Sequence, residues 1–83
     1  MTSVQEPIEA RIMEYFRSKG RVQGLAYDTD LFKGGFVDSL FAFEVVVFLE
    51  ETFGVRIENR QITLENFRCI SAIADTVRRA GGA

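Results

Sequence analysis

The sequence has no histidine among its 83 residues. That removes the commonest general base and the commonest metal ligand together. One cysteine, Cys69, excludes an internal disulfide, and with it the reading of a small oxidised, secreted scaffold. No apolar run exceeds Val45–Leu49, which is far too short to span a bilayer. Met1–Pro7 carries neither the basic stretch nor the apolar run of a signal peptide, so a cytoplasmic protein is expected. Basic clustering is also missing. The formal net charge is −2, and the ten Lys and Arg residues are scattered from Arg11 to Arg79, which speaks against nucleic acid as a partner. There is one proline, Pro7, and no tryptophan.

What remains has a globular balance, 47% hydrophobic and 27% charged, at a length that fits one domain. No repeat, linker or low-complexity tract divides it, and nothing calls for an obligate oligomer; a monomer is expected. Nothing alternates over strand length. The expected fold is all-α: a bundle of three main helices plus one short helix, with a long loop between the first two. Ile8, Ile12, Tyr15 and Phe16 mark one stripe of a first helix over about 7–18, with Pro7 in its first turn and Gly20 past its end. The loop, residues 20–37, holds four of the seven glycines; Leu31 and Phe32 are placed to pin it to the core, after a turn at Asp28, Thr29 and Asp30. A second helix over about 39–53 starts behind Asp38, a good N-cap, and stops at Gly54. Thr63 is expected to cap the short helix, about 64–67, and Ser71 the last one, about 71–80, which ends on Arg78 and Arg79.

The second helix is apolar on too many sides. Ala42, Val45, Val46, Leu49 and Phe53 form one stripe and are expected in the core. Leu40, Phe43 and Val47 form a second, with Phe41 and Phe48 beside it. From Asp38 to Glu51 the charged residues are all acids: Asp38, Glu44, Glu50 and Glu51. One reading is a central helix packed on several sides. The other is a docking face of Leu40, Phe41, Phe43, Val47 and Phe48, edged by Glu44, Glu50 and Glu51, for partners with a basic groove.

No catalytic set and no metal-binding set emerges. A serine hydrolase built on Ser39 lacks a histidine base, and its surroundings are not Gly-x-Ser-x-Gly. Carboxylates are the obvious remaining ligands, and they show no metal-loop spacing. Cys69, beside Ile70, reads as a small packed residue.

Gly35-Phe36-Val37-Asp38-Ser39-Leu40 resembles the Gly-x-x-Asp-Ser-Leu signature of acyl and peptidyl carrier proteins. The flanks are similar to that family as well: Asp28–Phe32 ahead of the signature, Leu49–Ile57 at the end of the second helix, and Thr63–Phe67 beyond it. The resemblance implies that the Ser39 hydroxyl receives 4′-phosphopantetheine from coenzyme A, with Asp38 helping to orient metal-bound coenzyme A in the transferase complex. It implies a carrier and not an enzyme, with cargo held as a thioester on the arm. It further implies a phosphopantetheinyl transferase, an acyl-loading enzyme, and acyl-modifying dehydrogenases or a synthase acyltransferase as partners. Phe36–Ala42 and Glu65–Arg68 look most like stand-alone carriers that build polyketide extender units such as methoxymalonyl groups. Members of that group often have Asn before the serine, where this chain has Asp38. The D-alanyl carriers, the peptidyl carriers and the fatty-acid carriers therefore stay open, the last less favoured because the helix after Ser39 is more aromatic and less acidic. A different class, an unmodified helical adaptor, would keep the apolar face and dispense with the arm.

Overall fold

The computed structural model describes residues 7–21 and 23–81, and among them every regular element is helical. The order is α1 (Ile8–Ser18), a long loop, α2 (Ser39–Phe53), a 3-10 helix (Asn59–Gln61) and α3 (Ile70–Arg79).

The ends of α1 follow from local chemistry. Pro7 sits at the N-cap, just outside the helix, and cannot miss an N–H there. Gly20 adopts a left-handed φ of 72°, which lets its N–H reach Arg17 O while Arg21 N–H reaches Phe16 O. This pair of bonds is a Schellman closure, and it turns the chain sharply into the loop. Ile8, Ile12 and Phe16 are buried along one face.

The loop is internally bonded. Asp30 Oδ1 accepts from the N–H groups of Phe32 and Lys33, and Gly34 N–H donates to Asp30 O. A Cβ at Gly34 would lie 2.8 Å from the Phe36 ring and 3.0 Å from Asp30 O, so a side chain there would have to displace the ring. Leu31 is fully buried and its N–H donates to Arg68 O at 2.6 Å, which ties the loop to the chain before α3. Ser71 N–H donates to Tyr27 O, a second tie.

Two sequence expectations are corrected here. The short helix expected over 64–67 is a run of turns, and the extra helical turn lies earlier, at Asn59–Gln61. Glu58 and Gln61 build that turn by exchanging side-chain bonds with each other's backbone. Thr63 does cap the later turn, through Asn66 N–H to its Oγ1, and Phe67 N–H reaches Thr63 O. However, only Phe67 in that segment is deeply buried, and Cys69 is extended, so a single apolar anchor leaves nothing to prolong a helix. The last helix starts behind Cys69, not Ser71, because the Ser71 N–H is engaged by Tyr27 O and Ile70 is buried inside the first turn. Cys69 itself is buried.

α1 and α3 pack against each other, and Ile12, Phe16, Leu31, Val45, Leu49, Ile70, Ile73 and Val77 form the centre of the core. Phe53, expected in the core, is only half-buried, with the Arg11 guanidinium 5.2 Å from its ring centroid. No helix among the described residues is long and apolar enough to cross a membrane.

Candidate functional site

The site is the start of α2. Asp38 is extended, and its Oδ1 accepts from Phe41 N–H at 2.8 Å while its carbonyl accepts from Ala42 N–H. Ser39 is the first residue of the helix and is exposed. The Ser39 and Leu40 N–H groups have no acceptor among the described residues. Free donors and the positive end of the helix dipole thus surround the serine hydroxyl, an arrangement suited to a phosphodiester. No group of His, Cys, Asp and Glu among the described residues could hold a metal ion.

Arg21 ties the end of the loop ahead of Ser39 to α2. Its guanidinium lies 4.2 Å from the Phe41 ring centroid, and Nη1 donates to Phe36 O at 3.1 Å. In the sequence Arg21 is one of the scattered bases; no pattern in the chain links it to a carbonyl fifteen residues on. In front, Ser39 borders a cleft of about 240 Å³ whose walls include Phe32, Ala42, Phe43, Ile62, Leu64 and Phe67. Ile62 and Leu64 reach this wall from the 3-10 turn's end and the run of turns after it, a conformation that the sequence pattern does not show.

The expected docking face divides. Leu40 (72% exposed), Phe43 (60%) and Val47 (51%) stand in solvent, with Glu44 and Glu51 also exposed. Phe41 does not belong with them: it is 3% exposed, stacked on Tyr15 at 6.0 Å and edge-on to Phe16 at 5.4 Å. Phe48 is half-buried and stacks on Tyr15 at 4.1 Å. Glu50 is half-buried too, and its Oε2 accepts from Ile57 N–H, which holds the chain as it leaves α2. The apolar excess of α2 therefore has two sources: an aromatic seam against α1, and three exposed residues on the next flank. Tyr15, in that seam, has its phenol pushed above its usual range by burial, with the Glu44 carboxylate adding to the effect.

A comparison with known protein families matches residues 10–77 to the family described as the phosphopantetheine attachment site. The match covers most of the chain. This chain belongs to that family. The domain is the site of covalent 4′-phosphopantetheine attachment, so a carrier-type protein follows, and the all-helical fold is consistent with that. Members are modified by a phosphopantetheinyl transferase and work with biosynthetic enzymes. No curated protein matches the sequence.

Proposed function

We propose that this protein is an acyl carrier whose 4′-phosphopantetheine arm is attached to Ser39. The observation that carries the reading is the position of Ser39: an exposed hydroxyl at the first turn of a capped helix, beside two N–H groups without an acceptor among the described residues. In the modification, Ser39 Oγ forms a bond to the β-phosphorus of coenzyme A. The pyrophosphate P–O bond breaks, 3′,5′-ADP leaves, and the hydroxyl proton passes to the transferase. The arm ends in a thiol that holds the cargo as a thioester, and the chain needs no catalytic residue of its own. Asp38 fixes the first turn of α2, and its remaining carboxylate charge is available to metal-bound coenzyme A in the transferase complex.

Partner enzymes dock on Leu40, Phe43 and Val47, with Glu44 and Glu51 meeting basic groups at the rim. Such contacts are small and exchange quickly, as delivery requires. The motif Phe36–Ala42 with Glu65–Arg68 supports a discrete carrier of polyketide extender-unit assembly, served by an acyl-loading enzyme, acyl-modifying dehydrogenases and a synthase acyltransferase. Asp38, in place of Asn, keeps the D-alanyl and peptidyl carriers as the competing assignment.

The test is intact mass after incubation with coenzyme A, magnesium and a broad-specificity phosphopantetheinyl transferase. Wild type is expected to gain one phosphopantetheine and Ser39→Ala none. A folded wild-type protein that gains nothing, beside a control carrier that does, would move the unmodified adaptor to first place.

A further inference from the structure

Arg21 holds both flanks of the Ser39 segment at once. Its own N–H donates to Phe16 O at 2.9 Å, so its backbone is fixed where α1 closes. From there the side chain reaches two points. Nη1 donates to Phe36 O at 3.1 Å, and the guanidinium lies 4.2 Å from the centroid of the Phe41 ring. Asp38, Ser39 and Leu40, between those two points, are exposed, so little packing holds them. Ahead of Phe36 stand Gly34 and Gly35, the second at a left-handed φ of 79°, and they lend the chain no stiffness. Bonds within the segment restrain it in part. The N–H groups of Phe36 and Val37 both reach Leu31 O, and Asp38 caps α2 through Phe41 N–H. Arg21 adds the tie to α1, through one planar group that offers a donor at its edge and a cationic face to the ring. Among the described residues no carboxylate lies within ion-pair distance of Arg21, so the carbonyl and the ring are the partners it serves.

We propose that Arg21 is a positioning residue for the modification of Ser39: it presets the segment from Phe36 to Phe41 in the shape that the phosphopantetheinyl transferase takes up, acting through Phe36 and Phe41 and not on the reacting atoms. The proposal rests on the reading of Ser39 as the arm's attachment point. A segment that is already ordered loses little freedom on docking, whereas a loosened one has to be ordered by the transferase, and that cost falls on binding. The Asp38 cap and the Ser39 hydroxyl stay in place without Arg21. Its loss therefore raises the KM for the unmodified carrier and spares kcat.

The experiment follows modification by a broad-specificity phosphopantetheinyl transferase at saturating coenzyme A and magnesium, for wild type, Arg21→Ala, Arg21→Gln and Arg21→Lys. It is run at a temperature where thermal unfolding shows each protein to be folded. Wild type is expected to gain one phosphopantetheine; no gain, with a control carrier modified in parallel, removes the Ser39 reading and this proposal with it. Arg21→Ala is expected to raise the KM for the carrier about 3–10-fold, with kcat within about twofold of wild type. Arg21→Lys keeps the charge over the ring and recovers part of the loss. On the unmodified proteins, 15N relaxation is expected to show more mobile amides at Val37, Ser39 and Leu40 in Arg21→Ala, with the α3 amides unchanged; a general loss of stability would loosen α3 as well. Where Arg21→Ala does not fold, Arg21→Gln, which keeps a donor and loses the charge, is read by the same criteria. An unchanged KM, a fall in kcat alone, or a raised KM with amides as ordered as in wild type would overturn the proposal and leave Ser39 as the attachment point.

Discussion

Asp38 caps α2, and two substitutions separate that job from the one proposed for it in the transferase complex. Its Oδ1 closes the first turn of α2 through Phe41 N–H, and its charge lies next to Ser39, the proposed attachment point of the arm. Losing a side-chain cap costs roughly 0.5–2 kcal/mol, whereas Asn caps about as well as Asp. Asp38→Ala is therefore expected to lower unfolding stability by about 1 kcal/mol in urea titration, with Asp38→Asn within a few tenths of wild type. If the transferase needs the charge, Asp38→Asn will slow modification of Ser39 without that loss. Equal stability of Asp38→Ala and wild type would show that the cap contributes nothing. Asp38 was legible in the sequence because capping is local chemistry, decided within three residues. Arg21 was not, because its partner Phe36 O and the Phe41 ring come near only after the loop has folded.

At the level of α2, the sequence supplied the right excess of apolar residues and an incomplete division of them. Helical spacing placed Ala42, Val45, Val46 and Leu49 together, and they are buried. Spacing alone could not assign Phe41 and Phe48, because a helix packed by α1 on one flank and free on the next has no single stripe. What decides the matter is Tyr15, whose ring stacks on both phenylalanines from another helix. The two aromatic sets give opposite expectations. Phe41→Ala empties a buried site and is expected to cost about 3–5 kcal/mol, enough to bring so small a domain close to unfolding. Phe43→Ala removes an exposed ring and is expected to change stability by less than about 0.5 kcal/mol while weakening turnover by partner enzymes. Chemical denaturation of both, with a loading assay on Phe43→Ala, reads the difference. A large stability loss at Phe43, or unimpaired loading, would remove it from the proposed docking face. The 64–67 segment was misread for a related reason. Its capping signal at Thr63 is real, but cap and propensity do not make a helix where one residue, Phe67, supplies nearly all the burial.

Across the whole molecule, the termini of the bundle are joined by a contact no local rule foresees. Arg78, in the last turn of α3, was expected there to suit the helix dipole. It also donates through Nη2 to Glu9 Oε1 at 2.8 Å, bridging α3 to the first turn of α1. Its Nη1 is 3.2 Å from Asp75 Oδ1, so one guanidinium serves both helices. The hydrogen bond from Arg78 holds the Glu9 carboxyl below its ordinary value of 4.5, against the opposing effect of burial. A carboxyl with a lowered pKa in the folded state gives up its proton more readily there than in the unfolded chain. Its contribution to stability is therefore complete above the ordinary value and disappears as pH falls through the lowered one. Glu9→Gln cannot form the charged pair, so its unfolding midpoint should lie below that of wild type at neutral pH. The gap should close as pH falls through the lowered value, where the wild-type carboxyl takes up its proton. Thermal unfolding of both proteins across that range tests the point. A gap that persists undiminished in acid would show that Glu9 matters through packing of its stem on the bundle and not through its charge.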